Sequence, residues 1–206
     1  MTYLELRRSM KEFLVFSVRD ILKVDPAFHR RRLNEWQDKG YIRKVIKGFY
    51  IFADRDLDEW ALFEIANRIY KPSYVSLESA LAYHQLIPES AYAVTSVSTR
   101  RTYRFVSGVA GFRYRTVRPD LFFGYDLTSK GSRKAKIARP EKAVLDLLYL
   151  NPRLRTEPDF AGLRLNGERF FQLVNVPGFR AAASRFAQKT LTVKAERLLA
   201  FLQREG

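Results

Sequence analysis

The run Asp25-Pro-Ala-Phe-His-Arg-Arg-Arg-Leu-Asn-Glu-Trp-Gln-Asp-Lys-Gly40 decides how the first quarter of the chain is read. Aspartate followed by proline is a helix start, because the carboxylate accepts from free backbone N–H groups and proline suits the first helical position. Gly40 is the residue expected at a left-handed cap that ends the helix. The run therefore predicts a helix over residues 26–39. On a helical projection His29, Leu33 and Trp36 fall on one side, with Ala27, Arg31, Asn34 and Asp38 opposite and Arg30 and Arg32 flanking that outer face. His29 is accordingly expected to pack in the core.

Working outward, residues 4–13 carry Leu4, Leu6, Met10 and Phe13 at helical spacing, and Ser17 is a candidate cap for a short helix over residues 18–23. After Gly40, residues 41–52 form two short β-prone runs around a basic turn that contains Gly48. Helix, helix, turn, helix and hairpin is the order of a winged helix-turn-helix over residues 1–55. In that arrangement the N-terminal half of the third helix meets base edges. Arg30, Arg31 and Arg32 lie there, and arginine can donate two hydrogen bonds to guanine, while Asn34 can pair with adenine. Lys44 and Lys47 on the wing, with Ser17 and Arg19 at the start of the preceding helix, are candidate phosphate contacts. The competing reading makes the arginine triplet a solvated helix face.

Composition narrows the chemistry. The 206 residues contain no cysteine and two histidines, His29 and His84, far apart in sequence. Thiolate catalysis, Fe–S clusters and the usual structural zinc sites are excluded, and no cofactor or metal is expected. No apolar run approaches the ~18 residues of a membrane span. The first residues do not read as a signal peptide, since Glu5 is present and no apolar stretch follows the arginines. The expectation is a soluble, cytoplasmic protein without a membrane partner. A net charge of +15 favours polyanionic partners.

Residues 56–206 read as a second, mixed α/β domain, which makes the whole an α+β protein. Asp54, Asp56 and Asp58 imitate a calcium loop, but Glu59 and Ile65 stand where that loop needs glycine and glutamate. The cluster is read instead as a capping box of Asp56 with Glu59, opening a helix over residues 57–70. A helix capped by Ser76 runs to about Gln85, with Glu78 on its surface, and a β-rich section spans residues 92–138. Pro140 opens an almost wholly apolar helix to Leu150. Within it Asp146 is expected to pair with Lys142 or with a partner on the sheet. Two helical stretches, residues 179–189 and 193–204, close the chain, whereas residues 151–178 give little pattern.

The charge excess lies in this second part, net +12 after Tyr70 against +3 up to it, and residues 100–139 hold only Asp120 and Asp126 as acids. Tyr103 and Phe105 alternate with Arg104, and Phe112 and Tyr114 alternate with Arg113 and Arg115. Period-two geometry predicts an antiparallel hairpin with aromatics on one face, packed as core, and arginines on the other. Arg100, Arg101, Arg118, Arg133, Lys134 and Lys136 are expected to extend that patch. Its partner is a DNA backbone, an acidic protein or RNA.

Across nearly its whole length the chain resembles the AbiEi antitoxins of abortive-infection toxin–antitoxin systems. The resemblance is carried by Gly40-Tyr-Ile-Arg-Lys through Lys47-Gly-Phe-Tyr, Tyr74-Val-Ser-Leu-Glu-Ser-Ala-Leu-Ala-Tyr-His, and Val94-Thr-Ser-Val-Ser-Thr-Arg-Arg. It continues in Phe112-Arg-Tyr-Arg, Phe123-Gly-Tyr and Ile137-Ala-Arg-Pro-Glu-Lys-Ala-Val-Leu-Asp-Leu-Leu-Tyr-Leu. It implies a winged helix that represses its own operon on inverted repeats of double-stranded operator DNA, as a monomer or weak dimer. It also implies a C-terminal domain that counters, directly or indirectly, a cognate toxin of nucleotidyltransferase fold. The expected function is thus a non-enzymatic autorepressor and antitoxin. Two other readings are a winged-helix adaptor that grips an acidic protein, and a carboxylate-metal nuclease. No Gly-rich phosphate loop, Gly-x-Ser-x-Gly or Ser-x-x-Lys motif supports an enzyme.

Overall fold

A computed structural model describes residues 1–88 and 92–205. It is an α+β protein with a small antiparallel sheet and a mixed six-stranded sheet.

The chain opens with α1 (Tyr3–Ser9), whose N-cap Thr2 and Glu5 form a capping box. The predicted helix over residues 4–13 stops early because Leu14, Val15 and Phe16 are all buried, and Phe16 enters β1 (Phe16–Ser17) beside Tyr50. Ser17 caps α2 (Val18–Val24) with Asp20 in a capping box. The next helix, α3 (Arg31–Asp38), starts five residues later than residue 26. Asp25 closes a turn instead: its carboxylate accepts from the Ala27 N–H at 3.1 Å, and its carbonyl from the Phe28 N–H at 3.0 Å. On a continuous helix Phe28 would stand about 140° from Leu33. The turn lets both side chains enter one core, with the Phe28 ring 5.7 Å from Trp36. His29 is consequently exposed, contrary to expectation, and Phe28 takes the buried place. Gly40 does take the left-handed conformation, φ +69°, after α3.

Strands β2 (Ile42–Ile46) and β3 (Phe49–Phe52) form the hairpin, turned at Gly48 (φ +85°), and the sheet order is β1-β3-β2. This sheet lies between two cores. Ile42, Tyr50 and Phe52 join the smaller one with Leu33 and Trp36, while Val45 and Ile51 join the larger one of the remaining chain.

Asp58, not Asp56, caps α4 (Glu59–Ile69), its carboxylate accepting from the Ala61 N–H at 2.8 Å. β4 (Ser73–Val75), α5 (Leu77–Tyr83), β5 (Ala93–Ser98), β6 (Tyr103–Val106) and β7 (Gly111–Thr116) follow. After a 3-10 turn at Pro119–Leu121 come β8 (Tyr125–Lys130), β9 (Arg133–Ala138) and the buried α6 (Pro140–Leu150). The unpatterned stretch after it contains α7 (Glu157–Ala161) and α8 (Gly167–Leu173), and the chain closes with α9 (Val176–Ser184) and α10 (Lys189–Glu205).

The large sheet has the order β6-β7-β5-β4-β9-β8. It is mixed rather than antiparallel, since β5 pairs with β7 and β4 with β9 in parallel. Both faces are covered. On one, Tyr114 Oη donates to the Ala66 carbonyl of α4 at 2.9 Å. On the other, the Ser79 N–H of α5 donates to Thr95 Oγ1 at 3.0 Å, and Tyr74 reaches α6. The aromatics of the β6/β7 hairpin lie on the α4 side, as their period-two spacing requires, and Phe112 and Tyr114 are fully buried.

Candidate nucleic-acid interface

α3 presents Arg31 and Asn34 outward because Leu33 and Trp36 anchor its other side in the small core. α2, held by its Ser17–Asp20 cap, sets Arg19 beside it, and the left-handed Gly48 lets the β2–β3 turn bring Lys47 to the same place. These groups line a cleft of about 730 Å³ together with Ser17, Arg30, Tyr50, Arg68, Lys71 and Arg100. Seven of the lining side chains are Arg or Lys, and none is Asp or Glu.

The second wall of the cleft was not legible in sequence. Arg68 and Lys71 sit at the end of α4 and just beyond it, in no recognisable motif. Arg68 Nη2 donates to Asp20 Oδ2 at 2.9 Å, and its guanidinium lies 5.0 Å from the Phe13 ring centre. Arg100 stacks on the Tyr70 ring at 4.6 Å, and its Nη1 donates to the Lys71 carbonyl at 3.4 Å. Both guanidiniums are thereby placed before any partner arrives.

Electrostatics in the cleft follow from burial and cation density. Burial pushes the Tyr50 phenol above its ordinary value, and the Arg30 charge opposes that shift. Burial likewise works against the charged form of Asp20, but hydrogen bonds from Ser17 and Arg68 outweigh it and hold the carboxyl below the usual range.

The remaining sequence candidates are scattered. Ser17 is in the cleft, yet its hydroxyl is engaged with Asp20 at 2.8 Å. Arg32 turns away and donates to the Met1 carbonyl. Lys44 is exposed on β2 but does not line the cleft. The expected single basic patch on the sheet is split by strand order, which sets β6/β7 and β8/β9 at opposite edges. Arg104 is exposed on β6, directly across from the half-buried Arg113. Arg115 donates to the Leu150 carbonyl at 2.7 Å and so caps α6. Arg118 pairs with Asp120 at 2.9 Å, Arg133 pairs with Asp58, and Arg101 is exposed. Lys134 and Lys136 line a separate cavity with Lys71.

A polar cluster lies in the core, away from the cleft. Lys142 Nζ donates to Asp146 Oδ1 and, at 2.9 Å, to Tyr74 Oη. Tyr74 and Ser76 in turn donate to Asp146 Oδ2 at 2.9 and 2.8 Å. Both readings for Asp146 thus hold together, a pair on its own helix and partners from the sheet. Ser76 takes the N-cap position of α5, but it is fully buried and makes no side-chain cap, its hydroxyl going to Asp146 instead. Burial raises the Asp146 carboxyl and lowers the Lys142 ammonium, and their mutual attraction opposes both shifts. Gly124, at φ +72°, lies over the Lys142 stem where a Cβ would come within 3.0 Å. The His84 ring lies 2.8 Å from the Ala138 carbonyl, and burial lowers its pKa.

Among the described residues no three His, Asp or Glu side chains come together as a metal-binding group, and no helix is long and apolar enough to cross a membrane. No family model matches the chain, and no curated protein does either. Among solved structures it is similar to the RV2827C protein from Mycobacterium tuberculosis, with a TM-score of 0.46 and 12% identity over 96% of this chain and 80% of that one.

Proposed function

We propose that the chain is a DNA-binding regulator whose N-terminal part is a winged helix-turn-helix, with α3 as the base-reading helix and the β2–β3 turn as the wing. The observation that carries this reading is the cleft beside α3, where seven cationic side chains converge without a lining carboxylate. Such a field attracts a phosphodiester backbone, and held guanidiniums meet phosphate oxygens with little further ordering. Arg31 and Asn34, exposed on the outer face of α3, supply the hydrogen-bonding types that distinguish guanine and adenine in a major groove.

The sequence resemblance extends this proposal to an autorepressor of inverted-repeat operators that also counters a nucleotidyltransferase-like toxin. The full chain titrated against its own upstream DNA tests the first part. Binding that prefers that sequence to a scrambled duplex is expected. A chain that ignores both at low salt and instead captures an acidic protein would make it an adaptor. Co-expression with the neighbouring reading frame tests the second part, with rescue of growth as the expected result.

A further inference from the structure

Asn67, Arg68 and Ser73 share a cavity of about 350 Å³ next to the cleft, rimmed by Lys71, Lys134 and Lys136. Three side-chain atoms of its lining are buried without a hydrogen-bond partner: Nδ2 of Asn67, Nε of Arg68 and Oγ of Ser73. They are half of the buried, unpartnered side-chain atoms among the described residues, gathered at one place. Buried donors without acceptors are costly, so their convergence asks for a cause.

The surrounding bonds fix the polarity of the cavity. The Lys136 N–H donates to Asn67 Oδ1 at 2.5 Å, which occupies the amide oxygen and leaves the NH₂ free to donate. Asp20 holds Arg68 by Nη2, which leaves its Nε–H. Ser73 is 3% exposed and contributes a hydroxyl that no neighbour accepts. Lys71 and Lys134 are exposed, and Lys136 is half-buried with its ammonium 5.5 Å from the Tyr125 ring centre, so cationic residues border a cavity whose buried donors are neutral or shared. Glu64 is the one carboxyl in the lining; burial raises its pKa, and the Arg133 and Arg68 charges oppose that shift.

Several donors and three ammonium groups around a small volume suit a compact ion with many acceptor oxygens. We propose that this cavity is an oxyanion site that takes a phosphate group, with Asn67 and Ser73 donating from the floor and Lys71, Lys134 and Lys136 neutralising the charge. The phosphate belongs either to a free phosphorylated compound or to a nucleic-acid backbone in the neighbouring cleft, since Arg68 and Lys71 line both spaces. The site does not depend on the DNA-binding reading.

The experiment is calorimetric titration of the full chain with inorganic phosphate, replacing chloride at constant ionic strength, with a parallel melting curve. Saturable binding and a melting temperature that climbs with phosphate are expected. Ser73→Ala and the double variant Lys134→Ala/Lys136→Ala should each weaken phosphate binding at least about tenfold. Ser73→Ala removes an unpartnered hydroxyl, so its melting temperature without phosphate should not fall, which separates a lost ligand from a damaged fold. Arg31→Ala, in the cleft alone, should leave the phosphate affinity unchanged. A wild-type response equal to that of chloride would overturn the proposal. So would a response that survives the lysine double variant or is lost with Arg31→Ala. Displacement of bound phosphate by a short duplex assigns the site to backbone, and simultaneous binding assigns it to a free phosphate compound.

Discussion

Arg68 and Asp20 meet at 2.9 Å, and through them the end of α4 is tied to the first turn of α2. The same carboxylate completes the Ser17 capping box, so one acid orients both walls of the cleft. Asp20→Ala should cost about 1–2 kcal/mol through the lost acceptor for the Ser17 N–H, the Ser17 hydroxyl and Arg68, read by urea unfolding. Because the folded pKa of Asp20 lies below the unfolded one, its stabilisation is complete above the unfolded carboxylate range. It drains away as pH falls through the folded value. An acid titration of Asp20→Asn should therefore show a smaller loss of stability below that range than the parent chain.

Base reading should be separable from phosphate contact. Arg31→Ala should cost about 1–3 kcal/mol on the preferred duplex and relax its sequence preference. Gel-shift titrations on preferred and scrambled DNA decide this, and an equal loss on both would make Arg31 a backbone contact. If the cleft neutralises about six phosphates, affinity should fall with salt at a log–log slope near −5.

The buried Lys142–Asp146 pair should behave as a matched unit. Lys142→Met leaves the Asp146 charge enclosed and should destabilise by about 3–5 kcal/mol. Lys142→Met with Asp146→Leu should recover part of that, although Tyr74 and Ser76 then lose their acceptor. Chemical denaturation of the two variants measures the difference, and no recovery in the double variant would disprove the coupling.

His84 supplies a second pH effect with a stated sign. Its folded pKa lies below the unfolded value, so the unfolded chain binds more protons between the two. Its contribution is intact above about pH 6.5, the ordinary histidine value, and is lost as pH falls toward the folded value. Melting temperatures from pH 8 to 5 should fall less steeply in His84→Gln.

Much of the architecture could be read from local signals. Gly40 and Gly48 sit where positive φ is needed, Ser17 caps its helix, and the period-two aromatics near Phe112 face the core. Helix boundaries were less legible, because tertiary demand overrode local signals. Asp25-Pro26 makes a turn so that Phe28 can be buried, and α1 ends where Leu14 and Val15 enter a core. Half of the candidate site was visible, because α3 and the β2–β3 turn lie close together in sequence. Arg68, Lys71 and Arg100 were not recognised as its other wall, since only the packing of α4 against β9, β4 and β5 brings them there. The supposed continuous basic face failed for a topological reason: alternation within a hairpin fixes which side a residue faces, not where the hairpin is inserted in the sheet.

Val45 and Ile51 point into the larger core, while Ile42, Tyr50 and Phe52 of the same hairpin point into the smaller one. The β2–β3 hairpin is thus a shared keel rather than an appendage on a hinge. On the proposed reading a target would meet α3 and the opposite wall at a spacing already set, with little free energy spent on aligning them. The same inflexibility is selective: a duplex whose phosphates fall out of step with that spacing cannot be accommodated by swinging one half of the molecule.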